Sequence, residues 1–127
     1  MENLKATVTD VVTENNTAAT IGSGSLAVYA TPAMLALMEK AACEACASIL
    51  NEGETTVGTL LNVNHVSATP VGMQVSATAE LISRDGRKLV FNVTANDESG
   101  AIGNGTHERF IVLSDRFTEK TYSKLNK

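Results

Sequence analysis

Residues Thr31 to Leu50, TPAMLALMEKAACEACASIL, form the one long stretch of the chain with a helical signature; beyond it the apolar pattern shortens from a period of about 3.6 to a period of 2. That change limits the fold to one buried helix followed by a run of strands. Thr31 is expected to be the N-cap, its hydroxyl taking a bond from an orphaned first-turn N–H. Pro32 suits the first helical position, where no N–H is missed. Met34, Leu35, Met38, Ala41, Ala42, Ala45, Ile49 and Leu50 recur on one side, and the alanines suggest close approach by a sheet. Glu39 breaks into this stripe between Met38 and Ala41. Its carboxylate is either partly desolvated, and then held by a donor or cation, or lies at the stripe's edge and reaches water.

Before the helix, Ala6 to Glu14 reads as a strand, Asn15 to Thr17 as a turn and Ala18 to Ile21 as a short extended piece. Gly22 to Ser25 is a flexible loop and Leu26 to Ala30 an apolar lead-in. Gly53 is placed to cap the helix C-terminus in the left-handed conformation. Thr56 to Ala68 then reads as a long strand with Val57, Leu61, Val63 and His65 on one face. Met73, Val75, Ala77, Ala79 and Leu81 alternate with polar residues, so one face is buried and one solvated. Asp85-Gly86 marks a tight hairpin, and the returning strand carries Leu89, Phe91, Val93 and Ala95 inward. Glu98 to Gly100 turns into a last strand, Ala101 to Leu113. The tail from about residue 115 to 127 is polar and peripheral, a short helix or a frayed end. The expected architecture is α+β: a five-stranded antiparallel sheet wrapped around one long central helix, the hot-dog fold, in one domain spanning residues 1–127.

Composition removes several classes of function. A net charge of −4 and a pI near 5.1 argue against nucleic acid, whose phosphates call for clustered Lys and Arg. No run is long enough to span a bilayer, and the N-terminus lacks the apolar core of a signal peptide, so no membrane partner and a cytoplasmic location are expected. Cys43 and Cys46 stand in C-x-x-C spacing, but mid-helix and without a second Cys or His pair, so neither a metal site nor a thioredoxin-like motif is expected. They read as two small buried residues with reduced thiols. No P-loop, Rossmann or zinc-protease pattern occurs.

The chemistry-bearing residues are few. His65 lies near the end of an apolar strand face, where a histidine is more often hydrogen-bonded structure than a catalyst. His107, in GNGTHERF, has Glu108 as its neighbour on the opposite face, and a structural role is the stronger reading there. Gly58, Gly103 and Gly105 stand inside strands, where glycine marks a bulge or the close approach of a backbone or ligand.

Three blocks carry a resemblance: ATPAMLALMEKAA, TTVGTLLNVNHVSATPVGMQVSATAEL and GRKLVFNVTANDESGAIGNGTHERFIV. Within them V-G-T, N-x-x-H-x-x-A-T-P-x-G and G-x-G-x-H-x-R keep residue type and spacing, and together they resemble the fluoroacetyl-CoA thioesterase-like family of single hot-dog domains over about Leu26 to Leu113. The resemblance implies an acyl-CoA thioesterase acting on a small acyl group, with a coenzyme A thioester as substrate and no cofactor. It implies Thr31, Glu39 and His65 as the catalytic set, Gly58 beside the reacting carbonyl and Arg109 in the surround of the site. Members specific for fluoroacetyl-CoA carry phenylalanines in a lid before the helix. Ile21 to Leu26 here has no aromatic residue, so the implied hydrolase activity does not extend to a fluoroacetyl preference.

Thioester hydrolysis needs a nucleophile, a base to take its proton and donors for the developing oxyanion. His65 is the natural base. Glu39 orients His65, assists the water or attacks through an anhydride, and Thr31 at a helix N-terminus holds substrate or water. Gly58 leaves room for the thioester beside the strand. Eight residues along one straight helix separate Thr31 from Glu39 by ~12 Å, too far for both to meet one carbonyl. Either the helix begins after Thr31, or each site combines residues of two chains in a homodimer paired through its sheets, the arrangement we expect. Two other activities are compatible with this fold: a non-catalytic acyl-thioester binding module, and a hydratase or dehydratase, whose usual acid and histidine near the helix start match Thr31, Glu39 and His65 less well.

Overall fold

The computed structural model describes residues 4–126. Strand β1 (Lys5–Val11) leads through a 3-10 turn at Glu14–Asn16 to a four-residue helix α1 (Ala18–Ile21). The long helix α2 (Thr31–Cys46) follows and ends in a 3-10 turn at Ala47–Ile49. Strands β2 (Glu54–His65), β3 (Gln74–Asp85), β4 (Lys88–Asp97) and β5 (Gly100–Leu113) complete the sheet, and helix α3 (Ser114–Tyr122) closes the described chain with a 3-10 turn at Ser123–Asn126. All pairings are antiparallel, in the order β1-β3-β4-β5-β2. One face of this sheet holds α2, which is the hot-dog architecture expected from the sequence.

The core is the apolar face of α2 against the inward residues of the sheet. Met34, Leu37, Met38, Ala41, Ala42, Ala45 and Cys46 of the helix are buried, as are Val75, Ala77 and Ala79 of β3 and Leu89, Phe91, Val93 and Ala95 of β4. Alanines at the helix surface and on β3 remove the bulk that would hold the two layers apart. Of the expected stripe, Leu35, Ile49 and Leu50 are only half-buried, while Leu37 turns inward. Cys46 is buried and Cys43 is exposed, so only one of the two cysteines occupies the expected buried position.

Several local expectations change. Strand β1 stops at Val11, short of Glu14. Ala18–Ile21 is helical, not extended: Thr17 caps its start by accepting from the Thr20 N–H at 3.3 Å, and Gly22, at φ 92°, closes it in the left-handed conformation. Thr31 is the first residue of α2 and not its cap. The N-cap is Ala30, which offers no side-chain acceptor. Tertiary bonds fix the entry instead, from the Tyr29 N–H to the Thr69 carbonyl and from the Ala30 N–H to the Asn16 carbonyl, both at 2.9 Å.

A β-bulge at Thr59 alters β2. The pairing with β5 runs through Gly58 opposite Arg109 and resumes with Leu60 opposite Glu108. One extra residue reverses the alternation, so Thr56 and Gly58 face inward before the bulge and Leu61, Val63 and His65 after it. Val57 therefore points to the outer face, contrary to the simple period-2 reading.

Gly105 lies opposite Val63 where β2 and β5 press together, and a Cβ there would run into the carbonyl of Asn62 and the Cα of Val63. These are backbone atoms and cannot swing aside. Gly105→Ala should lower the unfolding free energy by roughly 2 kcal/mol, read from the urea midpoint; a variant as stable as the parent would show that the strands separate freely here.

Candidate active site

The sequence-predicted residues form two groups at different places on α2. Thr31 and His65 meet directly: Thr31 Oγ1 lies 2.7 Å from His65 Nδ1. The first turn of the helix supplies the hydroxyl and the last residue of β2 the imidazole. Because Thr31 is helical its side chain has no capping role, which frees the hydroxyl for this bond. Nε2 of His65 is buried and has no hydrogen-bond partner among the described residues. Beside the pair opens a cleft of about 270 Å³ lined by Ala18, Ser23, Val28, Thr31, His65 and Ala68 among others. Pro32 has no N–H and the Met34 N–H bonds the Ala30 carbonyl at 3.1 Å, so the N–H groups of Thr31 and Ala33 are the ones left without an acceptor within the helix, at its positive end beside Thr31.

Glu39 belongs to the other group, with Gly58 and Arg109. Arg109 is buried, and four of its five N–H groups have acceptors. Its Nε donates to Thr56 Oγ1 at 2.8 Å, Nη2 to the Thr56 carbonyl at 3.0 Å, and Nη1 both to His107 Nε2 at 3.1 Å and to Glu39 Oε2 at 3.3 Å. The Glu39 side chain is 41% exposed and that of Arg109 is 7% exposed. Both alternatives weighed for Glu39 thus hold in part, since one oxygen rests on a buried cation while the group still reaches water. A Cβ placed on Gly58 would lie 2.5 Å from Glu39 Oε2, 3.2 Å from Arg109 Nη1 and 3.3 Å from His107 Cε1. In this structure the space vacated by the glycine holds the carboxylate. Cys46 lies against the same network, and burial is the main cause that raises its thiol pKa.

Within one chain, Glu39 does not join Thr31 and His65. Both Thr31 and Glu39 belong to α2, so the explanation in which the helix starts later is removed, and the ~12 Å axial separation stands.

His107 and Thr56 are the participants the sequence reading passed over. His107 was weighed against its immediate neighbours, whereas residues two apart share a strand face, and the H-x-R spacing places His107 and Arg109 together. The basic residues at the Asp85-Gly86 hairpin, Arg84, Arg87 and Lys88, do not converge: Lys88 pairs with Glu108 at 3.4 Å, Arg84 Nε donates to the Gly86 carbonyl at 3.1 Å, and Arg87 lines a separate cleft with Arg116 and Lys120 of α3. Among the described residues no group of His, Cys, Asp and Glu is arranged to hold a metal ion, and no helix is long and apolar enough to cross a membrane.

A hot-dog sheet around one helix, with a hydroxyl-imidazole pair at the helix start and a carboxylate further along it, places the chain in the hot-dog class, and its relatives decide for thioester hydrolysis among the activities compatible with that fold. The model of the FlK family, fluoroacetyl-CoA-specific thioesterase, matches residues 12–115. The chain belongs to that family and is an acyl-CoA thioester hydrolase. It is 44% identical over 97 residues to the fluoroacetyl-CoA thioesterase of Streptantibioticus cattleyicolor, covering 76% of this chain and 70% of that one. A solved structure of the fluoroacetyl-CoA thioesterase FlK superposes with a TM-score of 0.88 at 37% identity, over 94% of this chain and 93% of that one. A threonine-to-serine variant of that enzyme in complex with acetyl-CoA gives 0.89 at 37% identity, over 94% and 95%. A thioesterase superfamily member from Thermus thermophilus gives 0.88 at 29% identity, over 99% and 93%.

Burial, first, and then the nearby Arg109 charge lower the pKa of His107 from 6.5, against a raising contribution from the Leu60 carbonyl. The unfolded chain therefore binds this proton at higher pH than the folded one. The His107 contribution to stability is complete above about pH 6.5 and is lost as pH falls toward the lower folded value. Wild-type unfolding free energy should begin to fall near pH 6.5, above the carboxylate range, and the fall should be shallower in His107→Gln; parallel curves would contradict the assignment.

Proposed function

We propose that the protein hydrolyses short acyl-CoA thioesters, with Thr31, Glu39 and His65 as the catalytic residues. The observation that carries this reading is the 2.7 Å bond between Thr31 and His65 at the mouth of a cleft, with His65 Nε2 buried and unpartnered beside it. With the proton on Nδ1 and donated to the Thr31 hydroxyl, the lone pair on Nε2 is the one that takes a proton from water. The Thr31 and Ala33 N–H groups of α2 are donors for the oxygen that gains charge when the carbonyl becomes tetrahedral. The small side chains of Ala18, Ser23 and Ala68 line room for a short acyl group. The stretch Ile21 to Leu26 brings no aromatic ring to it, so the proposed substrate is a short acyl-CoA without preference for the fluorinated one.

The proposed active unit is a homodimer whose sites lie at the interface. Strand β2 is an edge strand of 12 residues with no partner on its outer side among the described residues. A long unpaired edge is a template for another strand. Two β2 strands paired antiparallel about a two-fold axis near Leu61 and Asn62 would set Gly58 of one beside His65 of the other. That places the Glu39 carboxylate of one protomer near the Thr31-His65 pair of its partner, and the axial gap on α2 ceases to be an obstacle. Glu39 then acts on the water or on the acyl carbon from the face opposite the imidazole. Gly58 makes room for that carboxylate, and Arg109 holds it.

Free thiol release from a panel of acyl-CoAs tests the activity. Turnover highest on short chains and lost in Glu39→Gln and His65→Ala is expected. Tight binding with no thiol released by the wild type would leave a binding module in its place. Mixing Thr31→Ala and Glu39→Ala chains tests the shared site. Each heterodimer then has one intact site, so random exchange should restore about a quarter of wild-type activity; no recovery despite demonstrated exchange would place the whole site in one chain.

A further inference from the structure

The His107 imidazole is completely buried on the inner face of β5 and lies outside the catalytic set. Its two nitrogens have different partners. Nδ1 lies 2.8 Å from the Leu60 carbonyl, an acceptor with no proton to give, so Nδ1 carries the hydrogen and donates it. Nε2 is then the acceptor, and it takes its bond from Arg109 Nη1 at 3.1 Å. Only the neutral Nδ1–H tautomer satisfies both contacts, since a doubly protonated ring would set an N–H against a guanidinium N–H. Leu60 is the residue immediately after the bulged Thr59, so the bulge presents the carbonyl that selects the tautomer. Phe91 lies beside the ring, with centroids 6.1 Å apart, and helps to fix its plane.

Arg109 Nη1 serves both His107 and Glu39, so the position of the imidazole decides where that nitrogen points. Thr56 holds the other side of the guanidinium through its hydroxyl and carbonyl. We infer that His107 is a positioning residue for the thioesterase reaction: seated by the Leu60 carbonyl at the β2 bulge, it aims the Arg109 guanidinium at Glu39 and fixes the carboxylate over Gly58. This rests on the reading of Glu39 as catalytic. Partners that orient a functional side chain from behind commonly change activity 10- to 100-fold when removed.

The test separates the two nitrogens. A glutamine side-chain oxygen reaches the place of Nε2 and can still accept from Arg109, whereas asparagine reaches only the place of Nδ1. His107→Asn should lower kcat about 10- to 100-fold with KM within about twofold, and His107→Gln should recover most of the loss, thermal unfolding confirming that both variants fold. In an Arg109→Lys background, His107→Asn should add little further loss, because the two act in series. Nitrogen NMR of the imidazole should report an Nδ1–H tautomer that persists below pH 6. Equal losses in the Asn and Gln variants, a loss confined to KM, or full additivity with Arg109→Lys would overturn the inference. Glu39→Gln is run in parallel. If that variant keeps wild-type kcat, the reading of Glu39 fails; if it loses kcat while the His107 and Arg109 effects add, only the role of His107 fails.

Discussion

The guanidinium of Arg109 is, with the Thr31-His65 bond at the helix start, one of two points at which helix and sheet are joined by something more directional than apolar contact. Isolating a cation under α2 would cost several kcal/mol if it were unpaired, and four of its five N–H groups find acceptors, on β2 through Thr56, on β5 through His107 and on α2 through Glu39. The apolar face of α2 drives it onto the sheet without fixing its rotation or its position along its axis. The bond to Glu39 adds that constraint. The glycine opposite Arg109 completes the arrangement, because any larger residue at Gly58 would occupy the volume of the carboxylate.

The bulge at Thr59 is the second constraint, and it has consequences in both directions along β2. Toward the N-terminus it allows Thr56 and Gly58 to face Arg109 and Glu39; toward the C-terminus it allows Leu61, Val63 and His65 to face the core and the helix start. An unbulged strand could serve only one of these ends. It also presents the Leu60 carbonyl to His107. One inserted residue thus links the Thr31-His65 pair and the Glu39-Arg109 network of a single chain through the strand between them, although neither group touches the other.

The legible and illegible parts of the sequence divide along the range of the forces involved. The helix, the Asp85-Gly86 hairpin and the inward residues of β3 and β4 could be read because each depends on local periodicity or turn chemistry, which survives tertiary packing. The helix at Ala18–Ile21 is not legible because four residues are too few to show a period, and the cap roles of Thr17 and Gly22 emerge only in the structure. Thr31 was misassigned as a cap because a threonine before proline signals a helix start by itself, whereas the start here is held by bonds from Tyr29 and Ala30 to distant carbonyls. The orientation of Val57 was lost to the bulge. Among the site residues, Thr31, Glu39, His65, Gly58 and Arg109 were reached through motif resemblance; His107 was in view but was measured against the wrong neighbours.

The sequence by itself determined the kind of elements and their order, since hydrophobic period and turn residues are properties of short stretches, and its motifs carried the family resemblance that singles out Thr31, Glu39 and His65. Tertiary structure alone decided which of those side chains meet. Thr31 joins His65 across 34 positions and Glu39 joins Arg109 across 70, and these meetings depend on sheet order, the bulge in β2 and the seating of α2 over glycine. Contacts at such separations are set by the packing of whole layers, and no local pattern in the chain encodes them.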